Sequence, residues 1–218
     1  MGHRHRIVAA IYDQMTEADE RAFLGQLRSE IVGLAAGTVI EVGAGTGRNL
    51  PHYQAGLVRE VKAVEPDPYM RRRAAPRAAA ASFPVEFVEG TAEDLPFPSG
   101  YADSVVATLV LCSVDQPQQA VREFRRVLRP GGQLLFIEHI RSDDVWRARL
   151  QDLVAPVWQR VAANCHPNRP TLTVFRAAGF EVQEKRRVAV GLFPWIPPIV
   201  AGLATVMDGM TLTTASAH

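Results

Sequence analysis

The sequence predicts an α/β fold built around a mostly parallel β-sheet. Residues 38–43 form a short apolar run that ends in a glycine-rich turn, as a buried strand does when it enters a ligand-binding bend. Residues 102–111 are apolar almost throughout, which is typical of a strand buried on both faces of a parallel sheet. Segments with helical spacing of apolar residues lie between the strand-like runs, and this alternation indicates βαβ units. The length of 218 residues suits one domain.

The composition limits the partners that this chain can bind. Its formal net charge is +1, so it lacks the basic field of a nucleic-acid-binding protein, and we expect no nucleic-acid partner. Cys112 and Cys165 are far apart and in no CxxC pair, which argues against a disulfide framework and fits a reducing cytosol. The N-terminus has no apolar signal region and no apolar stretch is long enough to span a bilayer. The sequence therefore predicts a cytoplasmic protein.

The glycine-rich turn carries the strongest signal of function. Gly43, Gly45 and Gly47 allow a ligand to approach the backbone closely, and Glu41 at the strand end is expected to face the polar part of that ligand. A dinucleotide fingerprint has the spacing G-x-G-x-x-G, but here Arg48 occupies the position of its last glycine. This substitution disfavours a dinucleotide oxidoreductase. An ordinary glycine-rich strand-to-helix turn is the alternative.

The spacing E-x-G-x-G-x-G resembles the class I S-adenosylmethionine (SAM)-dependent methyltransferases. In that family the loop cradles the amino-acid end of SAM. The resemblance implies cofactor contacts along this loop from Glu41, Gly43, Ala44, Gly45 and Asn49.

The end of the second predicted strand is a candidate ribose site. Glu65 follows Gly43 by 22 residues, and a carboxylate there can accept hydrogen bonds from both ribose hydroxyls. NAD and SAM share that ribose, so Glu65 does not distinguish between them. Pro66 ends the strand. Met70 begins the next helix, where it either packs on the adenine or is an ordinary core methionine.

Residues 90–97 resemble the adenine-binding turn of the same methyltransferases, G-D-A-E-x-L-P-F. This chain departs from that pattern at Thr91, where relatives usually carry aspartate. The resemblance places Thr91, Ala92 and Glu93 at the adenine, with Glu93 as a candidate partner of the adenine amino group.

Residues 103–114 and 126–139 resemble the methyltransferases of ubiquinone and menaquinone biosynthesis. The strings L-C-S-V and E-H resemble more narrowly a subgroup of thiol methyltransferase-like proteins and bacterial phospholipid N-methyltransferase-like proteins. The resemblance implies SAM as cofactor, with S-adenosylhomocysteine as product. It also implies a Rossmann-like three-layer sandwich with a mostly parallel seven-stranded sheet and an antiparallel last strand. The single methyltransferase domain would span residues 1–207, and residues 208–218 would form a tail.

Three further regions are assigned by the same resemblance. Residues 1–35 would be N-terminal lid helices, with the Tyr12 hydroxyl on the SAM carboxylate or, alternatively, Tyr12 as a half-buried packing residue. Thr108 and Leu109, at the end of the fourth strand, would contact the cofactor. Residues 144–170 are an insertion expected to cap the substrate pocket; a helix packed on the protein surface would give the same pattern.

The residues that would bind the methyl acceptor are harder to predict from the sequence than those that would bind the cofactor. His139 and His166 are candidate catalytic bases, because a nearby imidazole favours the thiolate form of a thiol acceptor. The alternatives are that His139 only orients Glu138 or the backbone, and that His166 is part of the loop structure. Cys112 and Trp158 are expected to line the substrate pocket. We expect no metal, since the one evident pair, Cys165 beside His166, lacks the three or four ligands that zinc requires.

The leading hypothesis is therefore transfer of a methyl group from SAM to a small, fairly apolar acceptor, with a thiol favoured. The alternatives are N-methylation of a lipid amine such as phosphatidylethanolamine, O-methylation of a small metabolite, and a repurposed SAM-binding protein without methyl transfer. Contact with a membrane surface, which the apolar loop at 192–198 would make, is the less favoured expectation.

Overall fold

The computed structural model describes residues 13–14, 16–162, 164–189 and 195–207. Seven strands in this part of the chain form one sheet: β1 (Gly37–Val42), β2 (Val58–Val64), β3 (Val85–Val88), β4 (Ala102–Thr108), β5 (Leu128–His139), β6 (Phe180–Val188) and β7 (Ile199–Val206). Their spatial order is β3-β2-β1-β4-β5-β7-β6. The predicted α/β class and seven-stranded sheet are confirmed.

Strand direction follows the expectation as well. The pairs β1–β2, β2–β3, β1–β4 and β4–β5 are parallel, whereas β7 lies between β5 and β6 and runs antiparallel to both. The chain order reverses between β1 and β4, and ligands of open α/β sheets bind beyond the carboxyl ends of the strands at such a point.

Helices cover both faces of the sheet. They are α1 (Gly25–Ile31), α2 (Pro68–Ala79), α3 (Pro117–Val127), α4 (Val145–Val161) and α5 (Thr171–Ala177). Alternate residues of β5 serve the two hydrophobic clusters: Leu134 and Phe136 pack in one, Leu135 and Ile137 in the other. This alternation produces three layers, with the sheet in the middle.

Helix α4 lies in the insertion predicted to cap the substrate pocket, and its apolar residues differ in burial. Trp146 and Leu153 are 62% and 75% exposed, whereas Val154 is half-buried. The side that faces the protein carries Ala148, Gln151 and Ala155, which are buried. Asp144 caps the helix by accepting from the Arg147 N–H.

Polar contacts join α4 to the segments before and after it. Arg141 pairs with Asp152 through two nitrogen–oxygen contacts of 2.5 and 2.7 Å, and Asn168 donates to the same carboxylate at 2.8 Å. The spacing of the apolar residues did not show which side of the helix carries these polar contacts. Among the described residues, no helix combines the length and hydropathy that a bilayer crossing requires.

Gly202 tests the packing between β7 and its neighbours. A Cβ at this position would lie 2.2 Å from the Gln183 carbonyl oxygen on β6 and 3.1 Å from the Phe136 ring on β5. The added methyl group would force the backbone of β6 to move. We therefore expect Gly202→Ala to lower the free energy of unfolding by about 1–3 kcal/mol in urea titrations. Gly56→Ala is the control, since a Cβ there meets nothing within 4 Å. Equal stability of the two variants would show that the sheet is looser here than described.

Candidate active site

The loop after β1 lies against the turn that follows β4. Gly43 has a φ of 64°, and a Cβ on it would come within 2.6 Å of a Val110 methyl group, so only glycine suits this position. Gly45 has a φ of 55°, and a Cβ there would meet nothing nearer than 3.9 Å. The neighbouring Ala44 is buried, and its N–H donates to the Val64 carbonyl oxygen at 3.1 Å. The loop is thus fixed on one side and open above Gly45.

Glu65 ties this loop to the end of β2. One carboxylate oxygen accepts from the Gly45 N–H at 2.8 Å and the other from the Asp67 N–H at 2.9 Å. Burial raises the pKa of Glu65, and these two backbone hydrogen bonds oppose the rise. A carboxylate has further acceptor capacity for the two ribose hydroxyls predicted to bind here.

Glu41 and Asn49 lie beneath the loop and are almost fully buried. Asn49 Nδ2 donates to one Glu41 oxygen at 3.0 Å, and the Tyr53 hydroxyl donates to the other at 2.9 Å. Asn49 Oδ1 accepts from the buried Arg28, and Asn49 Nδ2 also donates to Thr108 Oγ1 at 2.9 Å. Both predicted cofactor residues therefore have protein partners that hold the floor of the site.

Arg28 and Tyr53 are members of this network that the sequence did not reveal. Arg28 lies on α1 and pairs with Glu20 at 2.8 Å, so its charge is balanced locally. Nothing in the helical spacing of α1 distinguishes this buried arginine from a solvated one. Burial raises the pKa of Glu41 to about 7, against hydrogen bonds from Tyr53 and Asn49 that lower it.

The predicted adenine turn follows β3. Thr91 is exposed and forms an isolated backbone β-bridge with Asp94, while Ala92 is buried. Glu93 Oε1 accepts from the Asp115 and Gln116 N–H groups at 3.1 and 3.3 Å, which fastens this turn to the start of α3. Its contact with the adenine amino group stays a prediction.

The remaining predicted cofactor residues lie around the same edge. Pro66 is exposed at the end of β2, and Met70 is half-buried in the first turn of α2. Thr108 and Leu109 are half-buried at the end of β4. Tyr12 lies outside the described residues.

The turn after β4 begins earlier than the apolar pattern suggests. β4 ends at Thr108 rather than at Leu111, and Leu109 adopts a left-handed φ of 58°. The reason is Glu138 on β5, whose fully buried carboxylate accepts from the N–H groups of Val110 and Leu111 at 2.8 and 2.9 Å. It also accepts from the Cys112 N–H at 3.3 Å. These bonds replace the strand pairing that an extended β4 would have made.

The segment before α5 closes over this turn. Arg169 donates to the carbonyl oxygens of Leu111 and Val114, and the His166 N–H donates to that of Cys112 at 2.7 Å. The imidazole Nδ1 of His166 lies 3.1 Å from the same Cys112 oxygen. The structure thus places His166 beside the turn, with one ring nitrogen facing backbone.

Three side chains from this region converge. One ligand-type atom each from Cys112, His139 and Cys165 lies within 4.8 Å of the other two, and Cys165 Sγ is 3.5 Å from His139 Nδ1. The hydrogen bond with Cys112 lowers the pKa of the Cys165 thiol, and His139 and the Trp158 indole lower it further, against the effect of burial. The same hydrogen bond, together with burial, raises the pKa of Cys112. The cluster therefore favours one thiolate, on Cys165.

The convergence unites three predicted residues, His139, Cys112 and Trp158, with Cys165, which the sequence did not assign to the site. Cys165 lies in a different loop from Cys112, and no local spacing pattern links them. The expectation of no metal rested on the adjacent pair Cys165 and His166, but His139 is the histidine whose ring contacts the Cys165 thiol.

Comparisons with known proteins agree on the class of this site. The methyltransferase domain family model matches residues 40–136. Over 191 residues the chain is 35% identical to thiol S-methyltransferase TMT1B of Homo sapiens, covering 82% of this chain and 76% of that protein. It is 31% identical over 208 residues to TMT1B of Rattus norvegicus, covering 91% and 82%.

A solved structure shares the fold. The SAM-dependent methyltransferase from Thermotoga maritima superposes with a TM-score of 0.61 at 24% identity, covering 94% of this chain and 97% of that one.

The buried carboxylate of Glu41 predicts a pH dependence of stability. The pKa of Glu41 is about 7 in the folded protein and near 4.5 in the unfolded chain, so the folded state binds the proton more tightly. Glu41 therefore makes its full contribution to the free energy of unfolding below about pH 4.5, and that contribution is lost as the pH rises through 7. Relative to Glu41→Gln, the wild type should therefore lose about 2–3 kcal/mol of unfolding free energy between pH 5 and 8.

Urea unfolding at several pH values measures this difference. Glu89→Gln is the matched control, since the Glu89 side chain is 79% exposed and should give the wild-type slope. Parallel pH profiles for the wild type and Glu41→Gln would contradict the raised pKa.

Proposed function

Since the chain belongs to the class I SAM-dependent methyltransferases, we propose that the acceptor of its methyl group is the thiol of a small, fairly apolar molecule. The observation that carries this proposal is the 35% identity, over most of both chains, to a protein named for thiol S-methylation. A cluster of two thiols and an imidazole also supports it, in which the predicted acceptor-side residues Cys112 and His139 meet Cys165.

The residues present fit the cofactor. Glu65 keeps acceptor capacity for ribose hydroxyls at the end of β2, and the loop above Gly45 leaves room for a ligand against the backbone. When bound, SAM supplies an electrophilic methyl group on a sulfonium. The task of the chain is then to hold the acceptor sulfur close and aligned, and alignment alone can supply much of the rate enhancement.

A thiol acceptor also has to lose its proton, because the thiolate is the nucleophile and a free thiol, with a pKa of about 8.5, is mostly protonated at neutral pH. His139 and His166 stay the candidates for assisting this step. Both imidazoles are half-buried, but the geometry supports His139 more strongly, since its Nδ1 faces the Cys165 thiol, whereas His166 Nδ1 faces a backbone oxygen.

The acceptor side is held by backbone contacts as well as by side chains. Cys112 is placed by its N–H bond to Glu138, and Trp158 lies half-buried on α4 beside Cys165. These positions support the expected substrate roles of Cys112 and Trp158 and of the cap at 144–170.

A lipid amine is the second candidate acceptor, and one observation favours it. Helix α4 exposes Trp146, Leu153 and Val157, with Arg149 and Arg160 also exposed on the helix. Apolar side chains beside arginines are suited to an anionic membrane surface. N-methylation of phosphatidylethanolamine would use this face to reach its substrate.

One assay separates these functions. Isotope-labelled SAM is offered with an alkyl thiol, an aryl thiol, a phenol or phosphatidylethanolamine liposomes, and label is followed into each product. We expect label in the thioethers, with kcat/KM for the thiols at least about a hundredfold above that for the phenol, since thiolates form more readily at neutral pH. Label in lipid alone, with liposome flotation of the protein, would replace the thiol proposal with the lipid one.

Glu65 tests the cofactor site separately. Removing its charge and one acceptor should weaken SAM binding about tenfold to a hundredfold in Glu65→Gln, as loss of hydrogen bonds to a charged group does. Isothermal titration calorimetry measures the change, with Glu89→Gln, at the end of the adjacent strand β3, expected to bind as the wild type does. An unchanged Kd in Glu65→Gln would remove this residue from the ribose contact.

A further inference from the structure

The cluster of Cys112, His139 and Cys165 has the composition of a metal centre. The three ligands come from separate elements: the turn after β4, the last residue of β5, and the loop before α5. Both cysteines are buried, and one ligand atom from each residue lies within 4.8 Å of the others. Close thiols beside an imidazole, where no disulfide framework exists, are typical of a metal-binding or catalytic site.

The distances suit zinc. Bond lengths of about 2.3 Å to sulfur and 2.0–2.1 Å to nitrogen imply tetrahedral edges of roughly 3.4–3.8 Å between ligand atoms. Cys165 Sγ and His139 Nδ1 already lie at 3.5 Å, so the remaining edges close with side-chain shifts of about 1 Å. Thiolate and imidazole ligands together favour zinc over the hard cations magnesium and calcium.

We propose that Cys112, His139 and Cys165 bind a zinc ion whose fourth coordination position takes the sulfur of the acceptor. This inference rests on the proposed thiol acceptor and names the means by which that thiol is ionised. Two cysteines and one histidine with an open position are a known ligand set of catalytic zinc sites. His139 is then a ligand, and a separate general base for the acceptor is unnecessary.

The backbone around each ligand is already fixed. The Cys112 N–H is bonded to Glu138, and the Cys165 N–H donates to the Ala162 oxygen at 2.9 Å. The His139 carbonyl oxygen accepts from Thr171 Oγ1 at 3.1 Å. The main chain that carries the three ligands is therefore fixed before an ion binds, and only side-chain adjustment remains.

Charge balance also favours a divalent ion. Two thiolates neutralise Zn²⁺, so the occupied cluster carries no net charge in its buried position. The nearby guanidinium of Arg169, held by the Leu111 and Val114 carbonyl oxygens, and the buried Glu138 carboxyl complete the surroundings. One additional thiolate from an acceptor would add a single negative charge beside Arg169.

The chemistry on the acceptor is balanced. Its thiol sulfur displaces a zinc-bound water, and the thiol proton passes to solvent, because a zinc-coordinated thiol is deprotonated. In methyl transfer the acceptor S–CH₃ bond forms as the sulfonium C–S bond breaks, and that electron pair stays on the cofactor sulfur. The product is a neutral thioether, a weak ligand that water replaces.

The test begins with metal content and does not depend on activity. Protein purified without a polyhistidine tag is stripped with a chelator, and zinc binding is titrated by competition with a metallochromic indicator. Cobalt(II) is then substituted, because a tetrahedral thiolate site gives strong visible and near-ultraviolet absorption. We expect stoichiometric binding, and a shift of the cobalt bands when an alkyl thiol is added without SAM.

Variants locate the ion. Cys112→Ser, Cys165→Ser and His139→Gln should each weaken zinc binding at least about tenfold, since each removes a ligand. His52→Gln is the matched control and should bind zinc as the wild type does, because His52 faces Ser29 Oγ at 2.9 Å, away from the cluster. Circular dichroism verifies that each variant is folded.

The outcomes are distinguishable. Label transfer to thiols by protein that binds no zinc would overturn this inference and leave the proposed function intact. Equal zinc binding by the cysteine variants would place the ion elsewhere and also overturn it. A cobalt spectrum that alkyl thiols do not change would overturn the open fourth position, whatever the acceptor proves to be.

Discussion

The carboxylate of Glu138 holds the turn that carries the predicted acceptor side of this methyltransferase. It is buried at the end of β5 and accepts hydrogen bonds from the N–H groups of Val110, Leu111 and Cys112, which lie beyond the end of β4. Buried backbone donors without partners cost free energy, so the chain could not turn at Leu109 unless such an acceptor were present. Because His139 follows Glu138 directly, the interaction that forms the turn also brings Cys112 and His139 together. Burial raises the pKa of Glu138 to about 7 against these same hydrogen bonds.

The cofactor side is built on the same principle with other residues. Glu65 binds the N–H groups of Gly45 and Asp67, and Glu41 holds Asn49 and Tyr53 under the loop. Glu138 and Glu65 each fix irregular backbone where a parallel strand ends, whereas Glu41 fixes the side chains beneath the loop. Rigid loops of this kind are suited to positioning a ligand, because binding then costs little additional ordering.

The sheet and the cofactor loop could be predicted because their signals are local. Apolar runs and glycine spacing depend on neighbouring residues, so β1 and its loop were recognisable without any knowledge of distant contacts. The end of β4 could not be predicted, since Leu109 to Leu111 are apolar like the strand before them and only Glu138, from another strand, ends the pairing. The closeness of Cys165 to His139 likewise depends on how a later loop packs. On α4, hydrophobic spacing did not show that Ala148, Gln151 and Ala155 are the residues buried against the protein.

The position of β7 has a consequence for biosynthesis. β5 is complete at His139, yet the strand that covers its edge begins only at Ile199, after β6 has been made. While the ribosome makes the intervening residues, β5 has an unpaired edge and β6 has no neighbour, because β7 is the partner of both. Unpaired strand edges are sites of aggregation, and N-terminal segments emerge first. The nascent chain therefore depends on β7 to close the sheet beside the predicted acceptor side, and the interval before that strand emerges is when chaperones would have most to protect.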